Sequence, residues 1–182
     1  PNAAVLDSKF VDSEYYWTSF YMNPMGVAVN TQWANDHGVE LPTTWADLLK
    51  PEFKGEIQMP TPQSSGTGYN LVAGMIMDWG EEAAFDYLQK LDDNIQTYTQ
   101  SGTAPSQAVA IGQTGVGIQF TPAFLQLMDE GYPLALVFPA EGVGYEAPAV
   151  SILKGAPNVE GAQQLVNWLV SIEAQNLLSE AK

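Results

Sequence analysis

Residues 55–76 read GEIQMPTPQSSGTGYNLVAGMI, and the change of pattern within them decides the fold class. GEIQMP is a brief apolar stretch closed by Pro60, whereas Leu71, Val72, Met75, Ile76 and then Trp79 recur at helical spacing behind a Ser-Ser-Gly-Thr start. A strand therefore opens into a helix through a short polar loop. The same junction follows at Ile95 to Thr99, which leads into SGTAP (101–105), where Thr103 suits an N-cap and Pro105 a first-turn position. It follows again where GVGIQF (115–120) meets Thr121-Pro122, with Phe124, Leu125 and Met128 ahead of Gly131. Strands alternating with helices predict an α/β fold with a largely parallel sheet.

The flanking segments extend this pattern. YYWTSFYMNPMGVAVN (15–30), with Pro24 in its middle, reads as two consecutive extended stretches. Thr44-Trp45-Ala46-Asp47 has capping-box spacing, so a short helix is expected from about 44 to 50. A further helix covers about 81 to 92, with Glu81, Glu82 and Asp86 near its positive end. PLALVF (133–138) and APAVSIL (147–153) read as strands on either side of the Gly-rich PAEGVGYE, and helices over about 158–170 and 171–181 end the chain. There is no internal repeat of fixed period.

Composition narrows the function classes. The 182 residues hold 21 Asp and Glu against six lysines and no arginine, for a net charge of −15. Nucleic acid and anionic membrane surfaces need clustered positive charge and are not expected partners. With no cysteine, thiolate metal sites, disulfides and cysteine nucleophiles are excluded. No apolar run reaches the roughly 18 residues that a membrane span needs. No basic-then-apolar leader is seen, and because it starts at Pro1 the chain is expected to be a mature or trimmed piece.

In open α/β sheets, ligands bind beyond the carboxyl ends of the strands, where helix N-termini offer unpaired N–H groups. Ser64-Ser65-Gly66-Thr67, Ser101-Gly102-Thr103 and Phe120-Thr121 each sit at such a place. Their hydroxyls and glycines suit an anion held without arginine, although each is equally an ordinary cap. Glu141 and Glu146 frame a Gly-rich loop and suit hydroxyls, amines or metals, or a solvated turn. Tyr15, Tyr16 and Trp17 offer a stacking surface, or else strand packing. Enzymatic readings find no parts: His37, the sole histidine, sits in Asn-Asp-His-Gly and reads as an exposed turn. Gly66-Thr67-Gly68 lacks the Lys of a phosphate-binding loop, and the acid pairs Glu81-Glu82 and Asp92-Asp93 read as solvated helix surface.

TTWADLLKPEFKGEIQMPTPQSSGT (43–67), together with SGTAP, GVGIQF, PAEGVGYE and the closing SIEAQNLL (171–178), resembles type II periplasmic solute-binding proteins of ABC transporters, in the iron(III), thiamine and phosphosugar branch. The resemblance implies two α/β lobes that close on a small solute and deliver it to a membrane permease. It implies one complete lobe over 23–138 and, in 1–22 and 139–182, part of the other, whose N-terminal portion is missing, so that apolar surface is left exposed. Carried over by position, ligand-contact residues fall on Ser64, Ser65, Gly66 and Thr67 and on Ser101, Gly102 and Thr103. Phe120 and Thr121 stand where iron binders place paired tyrosines, and Glu141 matches a carboxylate that accepts sugar hydroxyls.

The resulting expectation is an extracytoplasmic solute-binding component of an ABC importer, periplasmic or at the cell surface, with no covalent chemistry and no cofactor. Its solute would be small, polar and oxyanion-bearing, held between lobes by Ser65, Gly66 and Thr67, by Ser101 and Thr103, and by Thr121 and Glu141, with Trp17 as a stacking surface. The alternatives are an iron(III) or other metal carrier using Glu141, Tyr145 or Tyr16, an extracytoplasmic sensor domain, and an enzyme of the same architecture.

Overall fold

The computed structural model describes residues 2–180, so Pro1, Lys182 and the end of the last expected helix at Ala181 lie outside the described residues. In chain order these residues form β1 (Thr18–Ser19), β2 (Asn23–Asn30), α1 (Thr31–His37), β3 (Ile57–Pro60), α2 (Gly66–Trp79), α3 (Glu81–Asp92), β4 (Ile95–Thr99) and α4 (Ala104–Ala110). They continue with β5 (Val116–Phe120), α5 (Pro122–Asp129), β6 (Leu134–Val137), β7 (Tyr145–Glu146), β8 (Ala149–Val150), α6 (Val159–Leu169) and α7 (Ile172–Glu180). The chain divides into two compact units, one spanning Pro24–Tyr145 and the other formed by the described residues of 1–23 and 146–182.

The 24–145 unit has three layers around a sheet of order β4-β3-β5-β2-β6. Strands β4, β3 and β5 are parallel, with Pro60 opposite Thr99 and Gln58 opposite Gly117. β2 runs antiparallel to both β5 and β6, so the sheet is mixed: β4, β3, β5 and β6 share the expected common direction and β2 is reversed among them. Chain order could not reveal this, because β2 comes first in the unit yet takes an interior place between two later strands. Alternation along the strands then assigns the two faces. Met25, Val27, Val29, Val116 and Ile118 pack with Leu71 and Met75 of α2 and Ala84 and Leu91 of α3. Ala28 faces the other way, toward Val109 of α4 and Phe124 and Leu127 of α5.

Several local readings hold and others shift. Thr44 and Asp47 do form a reciprocal box, with Thr44 N–H donating to Asp47 Oδ2 at 3.0 Å and Asp47 N–H to Thr44 Oγ1 at 3.2 Å. The helix it opens is two short 3-10 segments, Ala46–Leu49 and Pro51–Phe53, because Lys50 and Pro51 interrupt it. Pro24 lies inside β2 rather than between two stretches; placed second in the strand, it offers its carbonyl to the Thr121 N–H at 3.0 Å. His37 is the last residue of α1, not a turn residue. Its ring stacks on Trp33 at 5.1 Å, and Gly38 ends the helix at φ 65°.

The other unit is thin in apolar burial. Its strands β1 and β8 pair over two residues each, where the sequence predicts an extended run over 147–153. Among its described residues only Val170 and Ala174 are buried apolar side chains. Tyr16, Leu153 and Ile172 are 72%, 79% and 82% exposed, and α6 carries an apolar stripe with no buried residue.

A Cβ at Gly68 would fall 2.7 Å from the Thr61 carbonyl carbon and nearer still to the Pro60 oxygen, while one at Gly66 meets nothing within 4 Å. Gly68→Ala is therefore expected to lower stability by about 1–3 kcal/mol in urea unfolding, with Gly66→Ala neutral or better. Asp47 is held well below the usual carboxylate range, first by the Lys50 ammonium and then by the N–H and hydroxyl donors of Thr43 and Thr44. A lowered folded pKa contributes stability above the ordinary carboxylate value near 4, and that stability is lost as pH falls through the folded value. Asp47→Asn should thus cost up to about 1 kcal/mol at pH 7, a gap that closes as chemical unfolding is repeated from pH 5 down to pH 2.

Candidate functional site

Because β4, β3 and β5 are parallel, the loops that leave their carboxyl ends lie at one edge of the sheet. Thr61 N–H donates to Thr99 O at 2.9 Å, so the loops 61–65 and 100–103 depart side by side. They stay joined, with Ser64 Oγ donating to Gln100 Oε1 at 2.7 Å. A Cβ at Gly102 would fall 3.2 Å from Ser65 Oγ and 3.1 Å from Thr67 Cβ, with Thr67 Oγ1 nearer still. The structure therefore brings Ser65, Thr67 and Gly102 together, and glycine at 102 is what lets the two loops touch.

The three junctions differ in what they leave free. At α2, Ser65 is the N-cap, 7% exposed, and its Oγ accepts the Gly68 N–H at 3.4 Å. The N–H groups of Gly66 and Thr67 and the Thr67 hydroxyl have no partner among the described residues. At α4, by contrast, Ala104 N–H goes to Ser101 O, Pro105 has none to give, and Ser106 N–H goes to the buried side chain of Gln119 at 2.9 Å. Ser101 and Thr103 there present exposed hydroxyls 3.3 Å apart. At α5, the Thr121 N–H is taken by Pro24 and Pro122 has none, the Ala123 and Phe124 N–H groups have no partner among the described residues, and the Thr121 side chain is 3% exposed with its methyl against Gly26.

The three loops 61–67, 100–104 and 120–123 contain no charged residue. Lys54 precedes β3 and so lies at the opposite edge, while Lys50 and Lys90 pair with Asp47 and Asp86. The edge thus combines the partial positive charge of a fourteen-residue helix with neutral donors, an arrangement suited to an oxyanion. Among the described residues there is no group of three or more His, Asp or Glu able to hold a metal ion.

Glu141 lies elsewhere in the same unit. Its carboxylate accepts the Trp45 N–H at 3.3 Å, beside the Trp45 indole N–H, which donates to Gly142 O at 2.9 Å. Trp45 packs edge-on against Trp79 at the last turn of α2, about 18 Å along that helix from Thr67. Together with burial, the Glu141 charge keeps the Tyr87 phenol above its usual range; Tyr87 donates to Trp45 O at 2.9 Å. Trp17 belongs to the other unit, where with Tyr15, Tyr16, Val150, Ile152 and Val166 it lines a cavity of about 570 Å³.

Sequence reasoning did not single out Gln100 or Gln119, both of which bond to site loops. For Gln119 a signal existed: it is the one polar side chain in the apolar strand GVGIQF, and such a group needs a partner when buried.

The comparisons with known proteins agree with this architecture. The chain is similar to the solved periplasmic binding protein AfuA from Actinobacillus pleuropneumoniae, with exogenous fructose-6-phosphate bound, at 42% identity and TM-score 0.84 over 96% of this chain and 56% of that one. It is 43% identical over 164 residues, 90% of this chain, to an uncharacterized protein of Haemophilus influenzae. It is 26% identical over 97% of its length to the spermidine/putrescine-binding periplasmic protein of Escherichia coli. The ferric iron-binding protein A of Mannheimia haemolytica shares the fold at TM-score 0.74 and 22% identity, with 93% of this chain and 56% of that one covered. The chain spans about half the length of the curated relatives it matches. The family model for bacterial extracellular solute-binding proteins matches residues 1–182, and the chain belongs to that family, in the iron and phosphosugar branch of the type II periplasmic solute-binding proteins.

Proposed function

We propose that this chain is part of the extracytoplasmic solute-binding component of an ABC importer and that its solute is a small organic molecule bearing an oxyanion. In this reading, residues 24–145 are a complete lobe, and the remaining residues are part of the other. The observation that carries the reading is the pair of unpartnered N–H groups of Gly66 and Thr67, joined by the Thr67 hydroxyl, at the N-terminus of α2. All three are donors, and the loops 61–67, 100–104 and 120–123 contain no charged residue, which suits an anion.

The exposed hydroxyls of Ser101 and Thr103 sit across Gly102 from Thr67 and would meet the uncharged part of the solute. The fructose-6-phosphate held by the similar AfuA protein has both parts, a phosphate and a polyol, and supports the choice of a sugar phosphate as the first probe. Function of this kind requires binding and release without chemical change, which fits an edge built of caps and hydroxyls.

The test is calorimetric titration of the protein, expressed at the full length of its native gene, with fructose 6-phosphate, inorganic phosphate and spermidine. Binding of the sugar phosphate, weakened about tenfold or more by Thr67→Val, is the expected result, since a hydrogen bond to a charged group is worth roughly 1.5–3 kcal/mol. Thr44→Val, which removes only a capping hydroxyl, should lower stability and leave affinity alone. Binding of spermidine in place of both anionic probes, or equal affinity in the Thr67 variant, would overturn the reading.

A further inference from the structure

Strand β5 turns two residues toward α4, and they do different work. A Cβ at Gly117 would fall 3.1 Å from Pro105 O and 3.2 Å from Val109 Cγ1, so glycine there lets α4 lie directly on the strand. Gln119, the next residue on the same face, is 1% exposed and extends to the start of that helix. Its Oε1 accepts the N–H of Ser106 at 2.9 Å, and its Nε2 reaches Phe120 O at 3.4 Å. Ser106, also 1% exposed, donates its Oγ to Thr103 O at 2.7 Å, and its N–H points as well to Thr103 O at 3.3 Å. A single buried carboxamide thus links the carboxyl end of β5, through Ser106, to the backbone of Thr103.

We propose that Gln119 is a positioning residue for the second solute-binding loop: it fixes Ser106 and, through it, the place of the Ser101 and Thr103 hydroxyls relative to Thr67. The inference rests on the solute reading above and deepens it. Because the Gly66 and Thr67 N–H groups are placed by the Ser65 cap and by Gly68 against the end of β3, Gln119 acts on recognition of the polyol portion of the solute and leaves capture of the oxyanion to Gly66 and Thr67. A buried amide whose neighbours are all apolar would be replaceable by methionine without effect on binding. One that sets a loop would not.

The experiment compares the full-length native protein with Gln119→Met, Thr103→Val and the double variant, titrating each with fructose 6-phosphate and with inorganic phosphate. Gln119→Met should weaken the sugar phosphate about tenfold and inorganic phosphate less than about twofold, and its effect should shrink in the Thr103→Val background, where only the Ser101 hydroxyl is left to place, as coupled residues require. Ser106→Ala, which removes only the hydroxyl that holds Thr103 O, should show the same split on a smaller scale and serves if Gln119→Met is too unstable to titrate. Equal weakening of both probes in step with lost thermal stability, or an undiminished Gln119 effect in the Thr103 variant, would overturn the inference while the solute reading stands. Failure of the parent protein to bind either probe would overturn both.

Discussion

The close approach of Gly68 to the backbone of Pro60 and Thr61 is the constraint on which the site depends. It presses the first turn of α2 onto the end of β3, so that the helix begins at the strand terminus with no slack between them. Ser65 can then cap from within the loop, and the N–H groups of Gly66 and Thr67 are left facing outward at the edge. A side chain at 68 would lift the helix and turn those donors away. The neighbouring loop is held to the same standard by Gly102, whose missing Cβ makes room for the Thr67 hydroxyl. Two glycines therefore decide where the donors of this edge stand.

Much of this was legible in the sequence because it is local. The strand-to-helix junctions at 60–66, 99–104 and 120–122 announce themselves through turn residues and a change of hydrophobic period, and all three are found. The Thr44 and Asp47 box is equally local and forms as its spacing requires. What escaped the reading is non-local. The interior position of β2 is set by pairing with β5 and β6, more than 80 residues on, and nothing in NPMGVAVN reveals its direction. The seven-residue α1 has too few turns to show a period, and Asn-Asp-His-Gly by itself presents His37 as a turn residue.

The site residues divide along the same line. Ser65, Thr67 and Gly102 could be named from junction chemistry, but only the parallel register of β3 and β4 shows that they meet. Junction chemistry also makes the three loops look equivalent, and the structure ranks them. Pro105 and the Gln119 carboxamide leave the start of α4 with fewer free donors than α2, while α5 keeps the Ala123 and Phe124 N–H groups but has its Thr121 hydroxyl buried. Glu141 carries a similar ambiguity, since a carboxylate in a Gly-rich loop suits a solute as well as the backbone N–H of Trp45 that it accepts here.

The uneven distribution of apolar burial between the two units has a consequence for how the molecule breathes. Amides in β2 and β5, beneath Met25, Val27, Val116 and Ile118, are released to solvent only when the whole 24–145 unit opens. Amides of β1, β8 and α6 are backed by little more than Val170 and Ala174, and opening there exposes almost no additional oily surface. Hydrogen exchange across the chain would therefore fall into two populations, one slow and strongly sensitive to denaturant, the other fast and nearly indifferent to it.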